Sequence, residues 1–162
     1  MNRFLKAVLL TGLFVGTTDL TSAYVSQWIK TGKYAEKMLN YIAGGALGLE
    51  NSIPGGNGVA LLGLFFHYFI SFSFTLLFFL LLPRVKFLAF NKYLIGMLYA
   101  VFVDVVMALV ILPLSRLPTG PFSVAHSFVN WVVLGVLFGV PIAYNAYKYN
   151  GIDVLSGEKL TD

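Results

Sequence analysis

The chain has 162 residues, a formal net charge of +4 and a pI near 9.3, with 58% of its residues hydrophobic and only 11% charged. A soluble domain carries about 25% charged residues; here the shortfall falls in long apolar runs, which excludes a soluble fold and bounds the chain to one membrane domain. Cysteine is absent, so disulfides, thiolate metal sites and cysteine nucleophiles are excluded, and no basic cluster is long enough to argue for nucleic acid.

The first apolar stretch runs over residues 4–29. Arg3 and Lys6 open it like the charged start of a signal peptide, but apolar character continues to Trp28 and Ile29, so a retained helix is expected. Thr17, Thr18, Asp19, Thr21 and Ser22 lie near its middle. Residues 31–58 follow as an outer segment. Tyr34, Met38, Tyr41 and Ile42 fall at helical spacing, with Lys33, Glu36, Lys37 and Asn40 between them, as in a short amphipathic helix lying in the interface. The glycines from Gly44 to Gly58, with Pro54, then predict a surface turn, with a re-entrant functional loop as the alternative, because irregular backbone cannot face lipid with its N–H and C=O groups unpaired and must sit in water, pack on protein or line a cavity.

Residues 59–82 contain no Lys, Arg, Asp or Glu. At 1.5 Å per residue they reach about 36 Å, enough to cross a core of about 30 Å with tilt. Pro83, Arg84 and Lys86 end this second span. A third covers 93–114, with Pro113 near its exit, and a fourth covers 125–147, with Pro141 expected to kink it. Tyr144, Tyr147 and Tyr149 beside Lys148 read as an interfacial belt. Residues 1–149 are thus one transmembrane domain and 150–162 a polar cytoplasmic tail. The fold class is all-α: four transmembrane helices in a bundle plus the interfacial segment between the first two.

Four crossings put both termini on one side. That side carries Arg3, Lys6, Arg84, Lys86, Lys92, Lys148 and Lys159, against Lys30, Lys33, Lys37 and Arg116 on the other. The excess makes the terminal side cytoplasmic. Its basic residues suit contact with anionic headgroups.

Three residues are costly to place in lipid. Gly12, Gly16, Asp19, Ala23 and Ser26 share one face of the first helix, and Gly12-x3-Gly16 lets another helix approach closely. Asp19 therefore turns into the bundle. An ionised Asp at the bilayer centre costs roughly 2.5–3.5 kcal/mol on insertion scales. Asp104 belongs to a stripe of Gly96, Ala100 and Ala108, and His67 to a stripe of Gly63, Ser71 and Thr75. Counting from the helix ends puts Asp19 and His67 slightly outside the midplane and Asp104 near it. An Asp–His–Asp cluster is geometrically open to the chain, and it has the chemistry of a proton relay. The competing reading gives the same residues to helix–helix hydrogen bonding, with Asp19 pairing to Thr18 or Ser71. Ser71 and His126 are weaker candidates. His126 starts the fourth helix as an interfacial histidine, about 12 Å above His67, too far to share one haem iron.

No G-x-S-x-G, P-loop, dinucleotide fingerprint or H-E-x-x-H spacing occurs. No catalytic residue, metal or cofactor is expected. Gly135-x3-Gly139 is a packing signal, and packing suffices for Asn130 and Trp131.

Several motifs occur in a recognisable order. They are Gly16-Thr-Thr-Asp19-Leu, Met38-Leu-x2-Ile42-Ala-Gly-Gly-x-Leu-Gly48, Leu62-Gly-Leu-x2-His67-x-Phe-Ile70, Gly96-x-Leu-Tyr99, Leu112-Pro-Leu-Ser115, Pro121-Phe-Ser and Gly139-x-Pro-Ile-Ala143. Together they resemble the YagU-like family of bacterial inner-membrane proteins, from about Gly12 to Ala143. The resemblance implies a multi-helix inner-membrane protein of unassigned activity, and it singles out Asp19 and His67. Asp104 matches none of its motifs.

Three functions compete at this stage. The one that asks least of the residues is a non-enzymatic accessory membrane protein, acting as a homo-oligomer or within a larger membrane complex, with the lipid bilayer as its surroundings. The second is a proton-coupled transporter or permease built on Asp19, His67 and Asp104. The third is an intramembrane metal or haem protein.

Overall fold

The computed structural model describes residues 2–118 and 124–152, with backbone alone at 124–127. Its helices are α1 (Arg3–Thr31), α2 (Met38–Leu47), α3 (Leu49–Ser52), α4 (Asn57–Leu81), α5 (Lys92–Val106), α6 (Leu112–Leu114), α7 (Val124–Leu134) and α8 (Val140–Asn150). A π-turn, Met107–Ile111, joins α5 to α6, and another, Gly135–Gly139, joins α7 to α8. No strand occurs among the described residues. Four helices are long and apolar enough to cross a membrane: α1, α4, Lys92–Leu114 and Phe128–Asn150. The protein is an all-α, multi-pass membrane protein with its spans packed as a bundle.

Local chemistry sets the helix ends. The Asn2 side chain accepts from the Phe4 N–H and starts α1, while Gly32 closes it in the left-handed region at φ 66°. The Asn91 side chain accepts from the N–H groups of Tyr93 and Leu94 and starts α5. Gly151 ends α8 in the same left-handed way.

The conflict at each proline is met by widening a turn. Proline lacks the N–H and its ring crowds the carbonyl four residues back. In the third span Leu112 N–H bonds five residues back to Met107, directly before Pro113. In the fourth, Val140 N–H bonds to Gly135, directly before Pro141. Both spans continue through their prolines by the same device.

Glycines set the closest approaches. A Cβ on Gly139 would lie 2.0 Å from the Gly96 carbonyl oxygen, so the third and fourth spans touch backbone to backbone. A Cβ on Gly12 would meet Phe72, and one on Gly16 would meet Tyr68 and Ser71, so the Gly12-x3-Gly16 face receives α4. The core contains Val15, Phe78, Phe79, Ile95, Ile142 and Tyr147. The outward surface presents Leu10, Phe14, Leu61, Phe65, Leu98 and Val129 to lipid.

Two expectations for the outer segment change. The helix begins at Met38, and Asn40 faces inward, 3% exposed, where its amide donates to the carbonyls of Ser52 and Gly55, each at 2.9 Å. The glycine-rich stretch divides in two: Gly44 and Gly45 lie within α2 and pack on protein, with Arg116 N–H donating to the Gly45 carbonyl, whereas residues 53–56 form a largely exposed turn whose Gly56 carbonyl accepts from the Val59 and Ala60 N–H groups of α4. α2 crosses α4 so closely that a Cβ on Gly63 would sit 1.9 Å from the Leu39 carbonyl oxygen. Of the expected tail, residues 153–162 lie outside the described residues.

Candidate functional site

The polar residues of α1 and α4 form one centre. His67 Nε2 lies 2.8 Å from the Gly16 carbonyl oxygen. A carbonyl only accepts, so Nε2 carries the hydrogen and, in a neutral ring, Nδ1 is left as an acceptor. Asp19 follows one turn beyond Gly16 on the same face of α1, half-buried, within Coulombic range of the imidazole. No hydrogen bond reaches its carboxylate among the described residues.

The hydroxyls expected to satisfy Asp19 are engaged elsewhere. Ser71 donates to the His67 carbonyl at 3.0 Å, and the single Thr18 hydroxyl hydrogen is shared among the Leu137 carbonyl across the bundle at 2.9 Å and the Phe14 and Val15 carbonyls of its own helix at 3.1 Å each. Each hydroxyl has one hydrogen, and in a helix the nearest acceptor is a backbone carbonyl three or four residues back. Ser22 behaves the same way toward the Asp19 carbonyl. Thr17 donates to Leu13, so the 2.8 Å contact between Thr17 and Tyr68 is donated by the tyrosine. α1 and α4 are thus joined by two polar links, His67–Gly16 and Tyr68–Thr17.

Asp104 belongs to a second centre. One of its carboxylate oxygens accepts from Asn130 Nδ2 at 2.9 Å and the other from Trp131 Nε1 at 2.7 Å. Both donors are on α7. The same register that sets Gly96 against Gly139 sets Asp104 against Trp131, eight residues away on each helix. Thr18, by contrast, reaches Leu137, six residues further along the fourth span. Asp104 therefore lies about 8 Å farther from the terminal face than the Asp19 level. The structure brings Asp19 and His67 together and holds Asp104 apart.

The side chain of His126 lies outside the described residues. Among those described, no group of three or more His, Cys, Asp or Glu residues sits together.

Several residues beyond Asp19, His67 and Asp104 carry polar chemistry. Asn130 and Trp131, whose positions in the sequence call for packing alone, hold the Asp104 carboxylate; their spacing from Asp104 carries no signal, because the pairing is between spans. Lys92 was counted only as a surface charge, but it is 2% exposed, with Nζ 4.1 Å from the Tyr144 ring centroid and 4.8 Å from that of Tyr93. Two aromatic faces stabilise the buried ammonium there. Tyr99 donates to the Phe74 carbonyl at 2.6 Å and ties α5 to α4.

A crevice of about 450 Å³ opens between α2, α4 and the third span, lined by Phe66, Phe69, Ile70, Met107 and Ile111 among others. It is almost wholly apolar. No family model, curated protein or solved structure matches the chain.

Proposed function

We propose that this is a non-enzymatic protein of the bacterial inner membrane, with both termini cytoplasmic, that works as a homodimer through the face shared by α5 and α7. The resemblance to the YagU-like proteins fits the location, and the excess of Lys and Arg on the terminal side fits the orientation. The observation that carries the dimer is Asn130. It holds the Asp104 carboxylate, midway along the third span, yet remains exposed on the outside of the single chain. Phe128 and Val129 beside it are exposed as well. An amide left in hydrocarbon costs free energy unless its remaining donor and acceptor are met. Asparagine carries both, so it pairs with its own symmetry mate across a two-fold axis.

The test uses the lack of native cysteine. Val129→Cys placed in liposomes should cross-link to a dimer, and wild-type protein in mild detergent should have the mass of two chains. Asn130→Leu should shift that mass toward one chain while helicity is retained. A monomeric wild type, or a dimer indifferent to Asn130→Leu, would overturn the proposal.

A proton-linked transport role is the second reading, favoured by the Asp19 carboxylate, which lies near the His67 imidazole and accepts no hydrogen bond among the described residues. Asp19→Asn should then abolish proton-coupled flux in proteoliposomes; unchanged flux would remove this reading.

A further inference from the structure

At the terminal face, α1 and α8 enclose a pocket of about 280 Å³. Arg3 and Lys6 line it from α1, and Lys148 with Asn145 from α8. Among the described residues no Asp or Glu lines it; the described acidic residues, Asp19, Glu36, Glu50 and Asp104, are placed elsewhere. Three like charges repel one another, so their convergence on one pocket is relieved by an anion.

The pocket changes character along α1. Arg3, Lys6, Ala7, Leu10 and Phe14 share one face of that helix at three- and four-residue steps. Its cationic start gives way to Leu10, 59% exposed, and Phe14, 55% exposed. A cationic opening at the interface above an apolar track is complementary to an amphiphile with an anionic head. A free phosphate would engage the first part and leave the track unused. The pocket is well away from the α5–α7 face, so the inference does not depend on the dimer.

We propose that this pocket is a binding site for one anionic phospholipid, with its phosphodiester held by Arg3, Lys6 and Lys148 and an acyl chain lying along Leu10 and Phe14. Basic pockets between helices at the cytoplasmic side of a membrane are suited to such headgroups.

The test is native mass spectrometry of the full chain released from nanodiscs of equal phosphatidylglycerol and phosphatidylcholine. Wild-type protein should retain one phosphatidylglycerol in preference to phosphatidylcholine by at least about ten-fold. The triple variant R3Q/K6Q/K148Q should lose that preference. A control, K30Q/K33Q/R116Q, removes the same charge from the opposite face and should keep it. Leu10→Asn should weaken retention with all three cations intact. Absence of a preference in wild type, equal loss in the control, or indifference to Leu10→Asn would overturn the site. Displacement of the lipid by inorganic phosphate alone would show that only the phosphate is read, and would overturn the phospholipid assignment.

Discussion

The Thr18 hydroxyl donates to the Leu137 carbonyl at 2.9 Å, and the residue four positions beyond Leu137 is Pro141, which has no N–H to give that carbonyl. One helix thus offers a donor in place of the N–H that a proline lacks in another, the Leu137 carbonyl being the shortest of the three acceptors around that hydroxyl, ahead of Phe14 and Val15 at 3.1 Å. The contact sits at the π-turn Gly135–Gly139, where the fourth span passes α1. In lipid no water reaches a stranded carbonyl, so the partner must come from protein.

Thr18→Val should destabilise the bundle by about 1 kcal/mol, since it removes a donor to the Leu137 carbonyl while conserving shape. Pro141→Ala returns an N–H to the fourth span. In that background the cost of Thr18→Val should shrink, giving a coupling of about 0.5–1 kcal/mol in a double-mutant cycle. Unfolding in mixed micelles at increasing sodium dodecyl sulfate measures all four species. Additive effects would show that Thr18 and Pro141 act independently.

The close glycine contacts lead to a second expectation. A Cβ on Gly63 would fall 1.9 Å from the Leu39 carbonyl oxygen, and backbone cannot rotate away as a side chain can. Gly63→Ala should force α2 off α4 and cost about 2–3 kcal/mol, in the range of overpacking. Gly58→Ala, about 1.4 turns earlier on α4, meets nothing within 4 Å among the described residues and should be neutral or slightly stabilising, because alanine is the better helix former. Thermal unfolding followed by circular dichroism in detergent separates the two. Equal melting temperatures would mean that the α2–α4 crossing is looser than the backbone geometry requires.

What was legible beforehand follows from what hydropathy measures. A run such as residues 59–82 without a single Lys, Arg, Asp or Glu reports depth in the bilayer, and the four spans follow from such runs. Small residues at four-residue steps report a face on a helix, so Gly96 and Gly139 could be recognised as packing positions. Neither signal says which helix lies opposite, or at what register. Asp19, His67 and Asp104 all have inward faces and similar depths by that count, which leaves one shared cluster geometrically open without requiring it. Asp104 instead pairs with Asn130 and Trp131, because α5 lies against α7 in the register set by Gly96 and Gly139. Asn40 misled for a different reason. Among polar neighbours it read as solvated, whereas its two amide hydrogens are what the Ser52 and Gly55 carbonyls need.

Asn40 gives the last prediction. Its Nδ2 group spans from α2 to the end of α3 and to the loop before α4, and Lys37 Nζ adds a longer contact of 3.3 Å to the same Gly55 carbonyl. Asn40→Leu keeps the volume close but removes both short bonds, leaving the buried Ser52 carbonyl without that donor. The expected loss is about 2 kcal/mol, confined largely to the outer segment, because the spans themselves do not depend on this amide. Hydrogen exchange should therefore accelerate at residues 48–56 while the amides of α1 and α4 near His67 stay protected. Ser52→Ala supplies the opposite case. The Ser52 hydroxyl is buried with no hydrogen-bond partner among the described residues, so its removal should be neutral or stabilising by up to about 1 kcal/mol. If Asn40→Leu instead opened α1 and α4 together with residues 48–56, the outer segment would be part of the cooperative core, and the polar links His67–Gly16 and Tyr68–Thr17 would depend on it.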